Sequence, residues 1–591
     1  MTTSRPDRWG RRLLAAALVL LAAGCLLQAA QGSTSTDLSG HAAGSDDAFI
    51  SYRYALNLIA GHGLVFNPGE RVEGYTNLLY VLLLVPAAWL AGAERLLAIS
   101  IGVNLLSAAA ALLGFFGFAR ERLGGARAGM AALALALCPS LWVAVASGLE
   151  TPLVLALQVA LWIAVERTVE REDGQPLLPL TVLTVLAGLA RADGFIAPLL
   201  AALYLAVRGR RRAALAVAAA SLATLAALVA WRLTYYGWPL PNTYYAKVAG
   251  PLPRRIETAL PQLSRVVFTT GLLVPVIALL FAILRLVQQV SRGQARLSAA
   301  LSFPVFFAPA WIGYWIYVGG DVFYERFLLI LFPLGIYALL QLLRTAPRAA
   351  SAATLGLAIL LQLAQLREDP RFRYTPEHYD RWVLLGRHLA RSHPGATLAT
   401  DAAGKIPYFS GLRTIDMLGL TDAHIGHVEP PEDSLLIIGH SKYDVEYVLA
   451  RRPDLIATWI QSDLDMKWGL QRSRWQRAGY RLRFLVNAEP HPQTPNLLDV
   501  SGKTTEEIGP LISSGYGYGV LELTGRGEAR PAPVRPTPGH RAPGPGAAAA
   551  GVGAAELAAR SPERLRNGRA APRPARWSRP RTAPRSRTPR P

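Results

Sequence analysis

The chain has 591 residues, of which 52% are hydrophobic and only 17% are charged, and its mean hydropathy is positive. This composition excludes an ordinary soluble enzyme and predicts a polytopic membrane protein. The formal net charge of +21 does not indicate a nucleic-acid-binding protein, because the segment from residue 525 onward holds fifteen arginines against three acidic residues and so supplies +12 of that charge.

The N-terminal segment predicts a membrane anchor. Basic residues precede an apolar run at 13–30, and because this run continues past Cys25, we expect an uncleaved signal-anchor helix and not a lipoprotein cleavage site. The second cysteine, Cys138, also lies within an apolar run. Cysteines in such places predict neither a disulfide framework nor redox chemistry.

Eleven apolar runs are long enough to cross about 30 Å of hydrocarbon or to pair as short tilted helices, so we expect about 11 transmembrane helices. They cover residues 13–30, 96–118, 128–146, 152–165, 177–190, 195–207, 213–230, 266–284, 297–318, 327–343 and 349–366. A twelfth run, 78–91, is short and contains Pro86. A crossing there would disturb the charge pattern of the loops, so we expect this run to lie along the membrane interface.

Arginine clusters in the loops predict the orientation of the chain in the membrane. With the N-terminus inside, the loops around Arg120, Arg208, Arg292 and Arg344 also fall inside, as the positive-inside rule requires. The exceptions are Arg254 and Arg255, which fall outside, and the inner loop 166–175, whose charges are mixed. The segments predicted outside are 33–77, 147–151, 191–194, 235–262, 319–326 and everything beyond residue 366.

The first outer segment carries two adjacent carboxylates, Asp46 and Asp47, before a helical stretch that reaches Ala60. Beside a membrane, such a pair is unfavourable unless a cation, a hydrogen-bond donor or a sugar hydroxyl offsets the repulsion. We therefore expect the pair to be catalytic, with a carboxylate as the base that takes the proton of an acceptor hydroxyl. The alternative is that Ser45 and the aspartates cap the helix.

The other outer segments place charged side chains at helix ends. A lipid-linked phosphosugar presents its phosphate at headgroup level, where cations are needed to bind it, and the candidates are Lys247, Arg326 and Arg191. The candidates for substrate binding are Glu70, Arg71, Glu73, Asn77, Glu150, Asp193, Tyr236 and Asp321. Single residues of this kind also act as interfacial anchors, and the aromatic residues near Tyr236 either stack on sugars or form an aromatic belt. The convergence of five segments favours a site.

The region 367–524 predicts a soluble α/β domain, with a helix near 379–392 and a short strand before Asp401. Acidic and histidine residues follow, but their spacing matches no metal motif: Asp401, Asp416, Asp422, His424, His440 and Asp444. We expect these residues to cap turns, with recognition of an acceptor glycan as the alternative. The sequence predicts no cofactor and leaves a divalent metal open.

Three domains are therefore expected. A transmembrane domain covers 1–366, an extracytoplasmic α/β domain covers 367–524, and a tail rich in arginine and proline covers 525–591. The tail has too few large apolar residues to offset its ordering entropy, and we expect it to be disordered. Its arginines leave binding to anionic lipid or polymer as the alternative to a dispensable extension.

At these residues the chain resembles the GT-C superfamily of lipid-phosphosugar glycosyltransferases, and within it the mycobacterial-type terminal β-(1→2)-arabinofuranosyltransferases and related bacterial membrane proteins. The motifs that carry the resemblance are Asp46-Asp47, VFNPGERVE at 65–73, SGLE at 147–150, Arg191 with Asp193, YYG at 235–237 with Ala246-Lys247, and Gly320-Asp321 with Arg326. They span most of 40–330 and, more weakly, the chain to about 525.

The resemblance implies a GT-C helical bundle, a polyprenyl-phosphate sugar donor, an envelope polysaccharide or other glycan as acceptor, and the first-loop aspartates as the catalytic centre. Arabinofuranose is the sugar that it implies. The segments LPNTYYAK and GYTN are closer to the broader bacterial branch, some members of which are tied to flagellar motor control. A transporter and a catalytically inactive envelope scaffold are the rival interpretations, although transport sites lie near the bilayer midplane and these charges lie at helix ends.

Overall fold

A computed structural model describes residues 8–30, 44–170, 177–248, 250–321, 325–368, 380–431, 439–488 and 495–524. The chain divides into two units, Met1–Arg526 and Gly527–Pro591, and all described residues belong to the first. The predicted disordered tail, 525–591, lies outside the described residues.

The N-terminal two thirds of the chain is helical. Its helices are α1 (Arg8–Ala30), α2 (Asp46–Ile59), α3 (Leu78–Ala91), α4 (Leu96–Leu123), α5 (Gly125–Ala136), α6 (Pro139–Ala146), α7 (Thr151–Glu170), α8 (Leu178–Ala190), α9 (Ile196–Val207), α10 (Arg211–Tyr235), α11 (Asn242–Lys247), α12 (Leu252–Thr269), α13 (Leu273–Ser291), α14 (Leu297–Ala300), α15 (Phe303–Val318), α16 (Leu331–Leu342) and α17 (Arg348–Glu368). Buried alanines, phenylalanines and leucines of these helices form one large apolar core.

Within the described residues, six helices are long and apolar enough to cross a membrane: α1, α4 with the short turn before it, α7, α10, α13 and α17. The helices α5 and α6, bent by 55° at their junction, form a seventh if they are one span. Shorter apolar helices occupy the remaining predicted spans, so the polytopic helical class is confirmed and the count of eleven stays a prediction.

One predicted boundary is wrong. The span expected at 266–284 begins instead at Leu273, because α12 ends at Thr269 and the chain turns at Gly271, where φ is +75°. A side chain at Gly271 would overlap Gln362 of α17. Glycine permits both this backbone conformation and the close approach to α17, so the turn separates an amphipathic helix from the apolar one that follows.

The loops predicted on each side of the membrane gather at opposite ends of the helices. At one end, the predicted inner loops contact each other: Arg122 pairs with Glu170 at 2.5 Å, and Arg127 donates to the Ala346 carbonyl at 2.8 Å. At the other end, the predicted outer segments contact one another and the C-terminal region. Arg53 is an example, since this buried side chain of α2 donates to the Leu412 carbonyl at 2.8 Å.

Both ends of α3 contact residues of this second group. Asn77, at its start, donates to Glu150 at 2.8 Å, and the carbonyl of Ala93, just after its end, accepts from Tyr408 at 2.7 Å. The placement of residues 78–91 along the membrane interface stays a prediction.

The C-terminal region is the predicted α/β structure. Its helices are α18 (Arg381–Ser392), α19 (Lys405–Ser410), α20 (Ala423–His427), α21 (Val445–Ala450), α22 (Arg472–Arg477) and α23 (Thr505–Ser513), and its strands are β1 (Thr397–Thr400), β2 (Arg413–Asp416), β3 (Leu455–Trp459), β4 (Tyr480–Val486), β5 (Leu497–Asp499) and β6 (Tyr518–Leu523). The sheet order is β2-β1-β3-β6-β4-β5. Strand β1 lies between β2 and β3 and is parallel to both. The chain therefore passes from β1 to β2 on one side and later adds β3 on the other side of β1.

Candidate active site

The helix α2 begins with the two predicted carboxylates. Ser45 occupies the N-cap position without a side-chain cap bond, and its N–H donates to the carbonyl of Ser147 at 2.8 Å. This backbone contact joins the start of α2 to the segment before α7. Asp46 and Asp47 lie in the first turn, where the helix dipole favours negative charge.

The two aspartates have different surroundings. Both oxygens of Asp46 accept backbone N–H bonds from the C-terminal region, from Gly404 at 3.0 Å and from Lys405 at 2.7 Å. Asp46 thus joins α2 to the turn between β1 and α19. A Cβ at Gly404 would overlap the carbonyl oxygen of Asp46, so this close approach requires glycine. Burial raises the pKa of Asp46 to about 7.

This pKa predicts a pH dependence of stability. The unfolded chain releases the Asp46 proton near the ordinary pKa of 3.8, whereas the folded protein holds it up to about pH 7. The stability that Asp46 contributes is therefore full below pH 3.8 and is lost as the pH rises through about 7. We expect Asp46→Asn to flatten this fall in melting temperature, measured in detergent between about pH 4 and 8.

Asp416 provides the internal comparison for that experiment. Burial raises its pKa to about 6, so Asp46→Asn should leave a smaller fall in the same direction, and Asp416→Asn should remove part of that remainder. An Asp46→Asn protein with the pH profile of the wild type would contradict the assignment to Asp46.

Asp47 is the member of the pair that lies beside a cation. Its carboxylate lies 3.6 Å from Nζ of Lys247, and the two side chains are 25% and 30% exposed, respectively. Lys247 ends the short helix α11 and packs against Gly439 of the C-terminal region. Asp47 can therefore meet an aqueous substrate with a cation beside it, whereas both oxygens of Asp46 already accept from backbone amides.

A second cluster is centred on Glu150, which is only 3% exposed. Glu150 accepts from Asn77 at 2.8 Å and from Arg191 at 2.9 Å. Arg191 also donates to Asp193 at 2.8 Å, and Asp193 accepts from Tyr314 at 2.7 Å. Burial raises the pKa of Asp193, but the adjacent Arg191 holds it below its usual value and keeps the carboxylate ionised.

Two of the three predicted phosphate-binding cations meet at one pocket. Arg326 is paired with Asp321 at 2.8 Å, and the guanidinium groups of Arg191 and Arg326 lie 4.0 and 5.0 Å from the ring centroid of Phe327. The pocket is small, with a volume of about 20 Å³. Its lining is Thr151, Val154, Leu155, Gln158, Arg191, Trp311, Arg326, Phe327, Leu329 and Ile330. The third cation, Lys247, pairs with Asp47 instead.

The remaining predicted residues hold the first segment in place. Glu73 forms a buried ion pair with Arg232 at 2.8 Å, and its backbone carbonyl accepts from the N–H of Asn242 at 2.9 Å. Tyr236 donates to the carbonyl of Leu64 at 2.8 Å. These bonds fix the first segment against the end of α10 and the start of α11.

Glu70 and Arg71 lie further toward the surface. Glu70 pairs with Arg413 at the start of β2, and the Arg71 guanidinium lies 4.8 Å from the ring centroid of Tyr235. Glu70 also accepts from Asn67 at 2.9 Å. The contact with Arg413 ties the first segment to the C-terminal region, and the contact with Tyr235 ties it to α10.

Several residues of these clusters escaped the sequence analysis. Tyr314 and Gln158 lie inside apolar helices, where nothing in the pattern distinguishes them from span residues. Arg232 sits at a helix end like an ordinary interfacial anchor, and only its buried partner sets it apart. The amides of Gly404 and Lys405 carry no side-chain chemistry, although the glycine in the turn after β1 was a usable signal.

Most of the acidic residues singled out in the C-terminal region cap turns, as expected. Asp422 and Asp444 accept the N–H groups that begin α20 and α21, and Asp416 accepts those of Leu418 and Thr421. In the described part of the chain, no three His, Cys, Asp or Glu side chains lie close enough together to hold a metal ion. A divalent metal stays an open prediction.

Comparison with known proteins gives matches to different parts of the chain. A domain of unknown function, DUF8728, matches residues 371–495. A terminal β-(1→2)-arabinofuranosyltransferase of Mycobacterium tuberculosis is 34% identical over 221 residues, which is 35% of this chain and 35% of that protein. The chain thus spans about a third of the length of this curated relative.

The similarity of fold extends over most of the chain. The crystal structure of the apo oligosaccharyltransferase of Archaeoglobus fulgidus superposes with a TM-score of 0.52 at 12% identity, covering 84% of this chain and 75% of that one. The same enzyme in complex with zinc and sulfate superposes with a TM-score of 0.50 over 80% and 72%. The resemblance predicted from the motifs is therefore confirmed, and the chain is a polytopic helical membrane protein with the GT-C fold and a C-terminal region that contains a β-sheet.

Proposed function

We propose that this chain is a membrane glycosyltransferase that moves a sugar from a polyprenyl-phosphate donor to a glycan of the bacterial cell envelope. One observation carries the proposal: Asp47, a partly exposed carboxylate beside Lys247, lies at the same end of the bundle as a pocket lined by Arg191 and Arg326. A base for a hydroxyl and cations for a phosphate are the two groups that this transfer needs.

In the proposed reaction, the acceptor hydroxyl oxygen attacks the anomeric carbon of the donor sugar. The bond between this carbon and the phosphate oxygen breaks, and the phosphate leaves with the electron pair. Asp47 takes the hydroxyl proton, and the ammonium of Lys247 lies 3.6 Å from its carboxylate. Arg191 and Arg326 stabilise the leaving phosphate, because their guanidinium groups are already oriented by Asp193 and Asp321.

Asp46 is proposed as a positioning residue, because its two oxygens are occupied by backbone amides of the C-terminal region. The other predicted substrate-binding residues extend the site along the first segment and around the pocket. They are Glu70, Arg71, Glu73, Asn77, Glu150, Asp193, Tyr236 and Asp321. Buried ion pairs hold several of them, so we expect them to shape the site more than to contact the sugar.

The proposed organisation follows the predicted domains, with the transmembrane part at 1–366, the α/β domain at 367–524 and the tail at 525–591. We place the site and the α/β domain on the extracytoplasmic side, because the arginine-bearing loops lie at the opposite end of the bundle. The similarity to a terminal β-(1→2)-arabinofuranosyltransferase favours arabinofuranose as the sugar.

The proposal is tested with the full-length chain in right-side-out and inverted membrane vesicles. Both receive decaprenyl-phosphoarabinose as donor and a water-soluble arabinan oligosaccharide as acceptor outside the vesicle. We expect oligosaccharide extension, followed by mass spectrometry, in right-side-out vesicles only. Extension in inverted vesicles alone would contradict the sidedness, and no extension in either, with this or a hexose donor, would contradict the activity.

Variants separate the activity from the rival functions. Arg326→Met should raise the KM for the donor about tenfold by removing one charged contact with the phosphate, and should leave the acceptor KM unchanged. A transporter would instead move the donor's sugar across intact liposomes without extending any acceptor. An inactive scaffold would show neither activity with wild-type chain or variant.

A further inference from the structure

Asp401 lies at the carboxyl edge of the C-terminal sheet, directly after β1. The chain goes from β1 to β2 on one side and returns with β3 on the other, which makes this edge a topological switch point. In open α/β sheets, ligands bind in the crevice at such a point. The same edge faces the membrane helices, because the next turn holds Asp46.

The carboxylate of Asp401 is fully occupied by donors. It accepts from the hydroxyl of Tyr518 at 2.7 Å, from the hydroxyl of Thr458 at 2.8 Å and from the indole N–H of Trp468 at 2.8 Å. A carboxylate with three donors is well suited to orienting them. Asp401 therefore differs from Asp416, Asp422 and Asp444, which cap local turns.

Trp468 is held in an unfavourable backbone conformation. Its φ is +64°, a region that large side chains rarely adopt, and its side chain is nevertheless partly exposed. The other non-glycine residues with a positive φ in the described part of the chain are Leu464 and Arg452. Leu464 is buried in the apolar core of the domain, and Trp468 packs against the same core but stays partly exposed.

The surroundings of Trp468 match the chemistry of a carbohydrate. The ammonium of Lys467 lies 5.9 Å from the Trp468 ring and 5.2 Å from the ring of Trp459, and the rings of Tyr443 and His440 lie 5.9 and 6.2 Å from Trp468. Aromatic faces bind the apolar faces of sugar rings, and polar groups at their edges bind hydroxyls. Lys467 is exposed, so the cluster is open to solvent.

This cluster lies beside the candidate active site. Gly439, the residue before His440, packs against the side chain of Lys247, which pairs with Asp47. The segment that carries His440 therefore lies next to both Trp468 and Lys247.

We propose that Trp468 is the stacking platform of an acceptor subsite, on which a sugar ring of the envelope glycan lies, and that Asp401 is the positioning residue that orients the indole. This inference rests on the proposed function for the identity of the ligand. It adds a binding site within the C-terminal domain and names the residue that fixes acceptor affinity.

The test measures binding without any donor, so that it does not depend on transfer. The purified full-length chain in detergent is dialysed against a labelled linear arabinofuranosyl hexasaccharide, and the affinity is compared among wild type, Trp468→Asn, Trp468→Phe and Arg452→Asn. Asparagine tolerates the left-handed backbone, so Trp468→Asn deletes the ring while relieving strain, and Arg452→Asn relieves the same strain at an exposed turn elsewhere.

We expect Trp468→Asn to weaken hexasaccharide binding at least about tenfold in protein that remains folded, and to raise the acceptor KM with kcat and donor KM unchanged. Trp468→Phe should retain most of the affinity, and Arg452→Asn should bind as the wild type does. The proposal is overturned if Trp468→Asn binds like wild type, if Arg452→Asn loses as much, or if the wild type binds no hexasaccharide.

The two proposals fail in different ways. If the wild type binds the hexasaccharide through Trp468 but transfers no sugar from any lipid donor, the proposed function fails and the carbohydrate subsite stands. If transfer occurs with an acceptor KM that Trp468→Asn does not change, the subsite fails and the proposed function stands.

Discussion

Replacing Asp47 with Asn is expected to lower kcat for sugar transfer about 10³-fold, because loss of a general base typically costs between about 10² and 10⁴ in rate. The substitution keeps the size of the side chain and its place in the first turn of α2, so the chain should fold and insert normally. The ion pair with Lys247 is partly exposed and contributes little to stability. The measurement is the single-turnover rate with saturating donor and acceptor, together with the melting temperature in detergent.

Asp46→Asn is the matched control, since it makes the same chemical change one residue earlier. It leaves one of two backbone amides, those of Gly404 and Lys405, without an acceptor, which costs about 1 kcal/mol or more of stability. We expect a smaller loss of kcat from Asp46→Asn, accompanied by a lower melting temperature. An Asp47→Asn protein that keeps a tenth or more of the wild-type kcat would refute the assignment of the base.

Glu73→Ala is expected to destabilise the protein by about 3 to 5 kcal/mol, because it leaves the Arg232 guanidinium buried without its carboxylate. The side chains of Arg232 and Glu73 are only 4% and 2% exposed, respectively, and they are joined by bonds of 2.8 and 3.1 Å. The measurement is thermal unfolding of the purified chain in detergent.

A double replacement distinguishes loss of an ion pair from loss of packing. Glu73→Leu with Arg232→Met removes both charges and keeps apolar volume, so it should recover most of the stability lost in either single variant. The exposed pair of Glu70 and Arg413 provides the contrast, and Glu70→Ala should cost no more than about 1 kcal/mol. Equal costs for Glu73→Ala and Glu70→Ala would contradict the role of burial.

Much of the fold was predictable because it depends on local composition. Apolar runs of sufficient length specify helices wherever they occur, and the short strand before Asp401 was visible from its sequence. The start of the eighth predicted span was not, because the turn at Gly271 depends on contact with Gln362 of a distant helix. A hydropathy profile averages over such a break, so the predicted span 266–284 joined the end of the amphipathic helix α12 to the apolar helix α13.

The candidate site was predictable in membership but not in arrangement. Asp46 and Asp47 are chemically identical neighbours, and only the amides of Gly404 and Lys405, more than 350 residues further along, distinguish them. In the same way, sequence grouped Lys247 with Arg191 and Arg326, while the fold pairs Lys247 with Asp47. Charge and position along the chain identify candidates, and long-range contacts decide which of them meet.

The contact between Asp46 and Gly404 also bears on the order of events during biosynthesis. The two residues are 358 positions apart, so all the membrane helices among the described residues are synthesised before the amides that donate to the carboxylate. The N–H of Ser45 at the start of α2 donates to the Ser147 carbonyl within the helical part, but the Asp46 carboxylate gains its two backbone donors only when the segment around residue 404 has been made. A nascent chain that stops after α17 therefore lacks the two amides that hold this carboxylate.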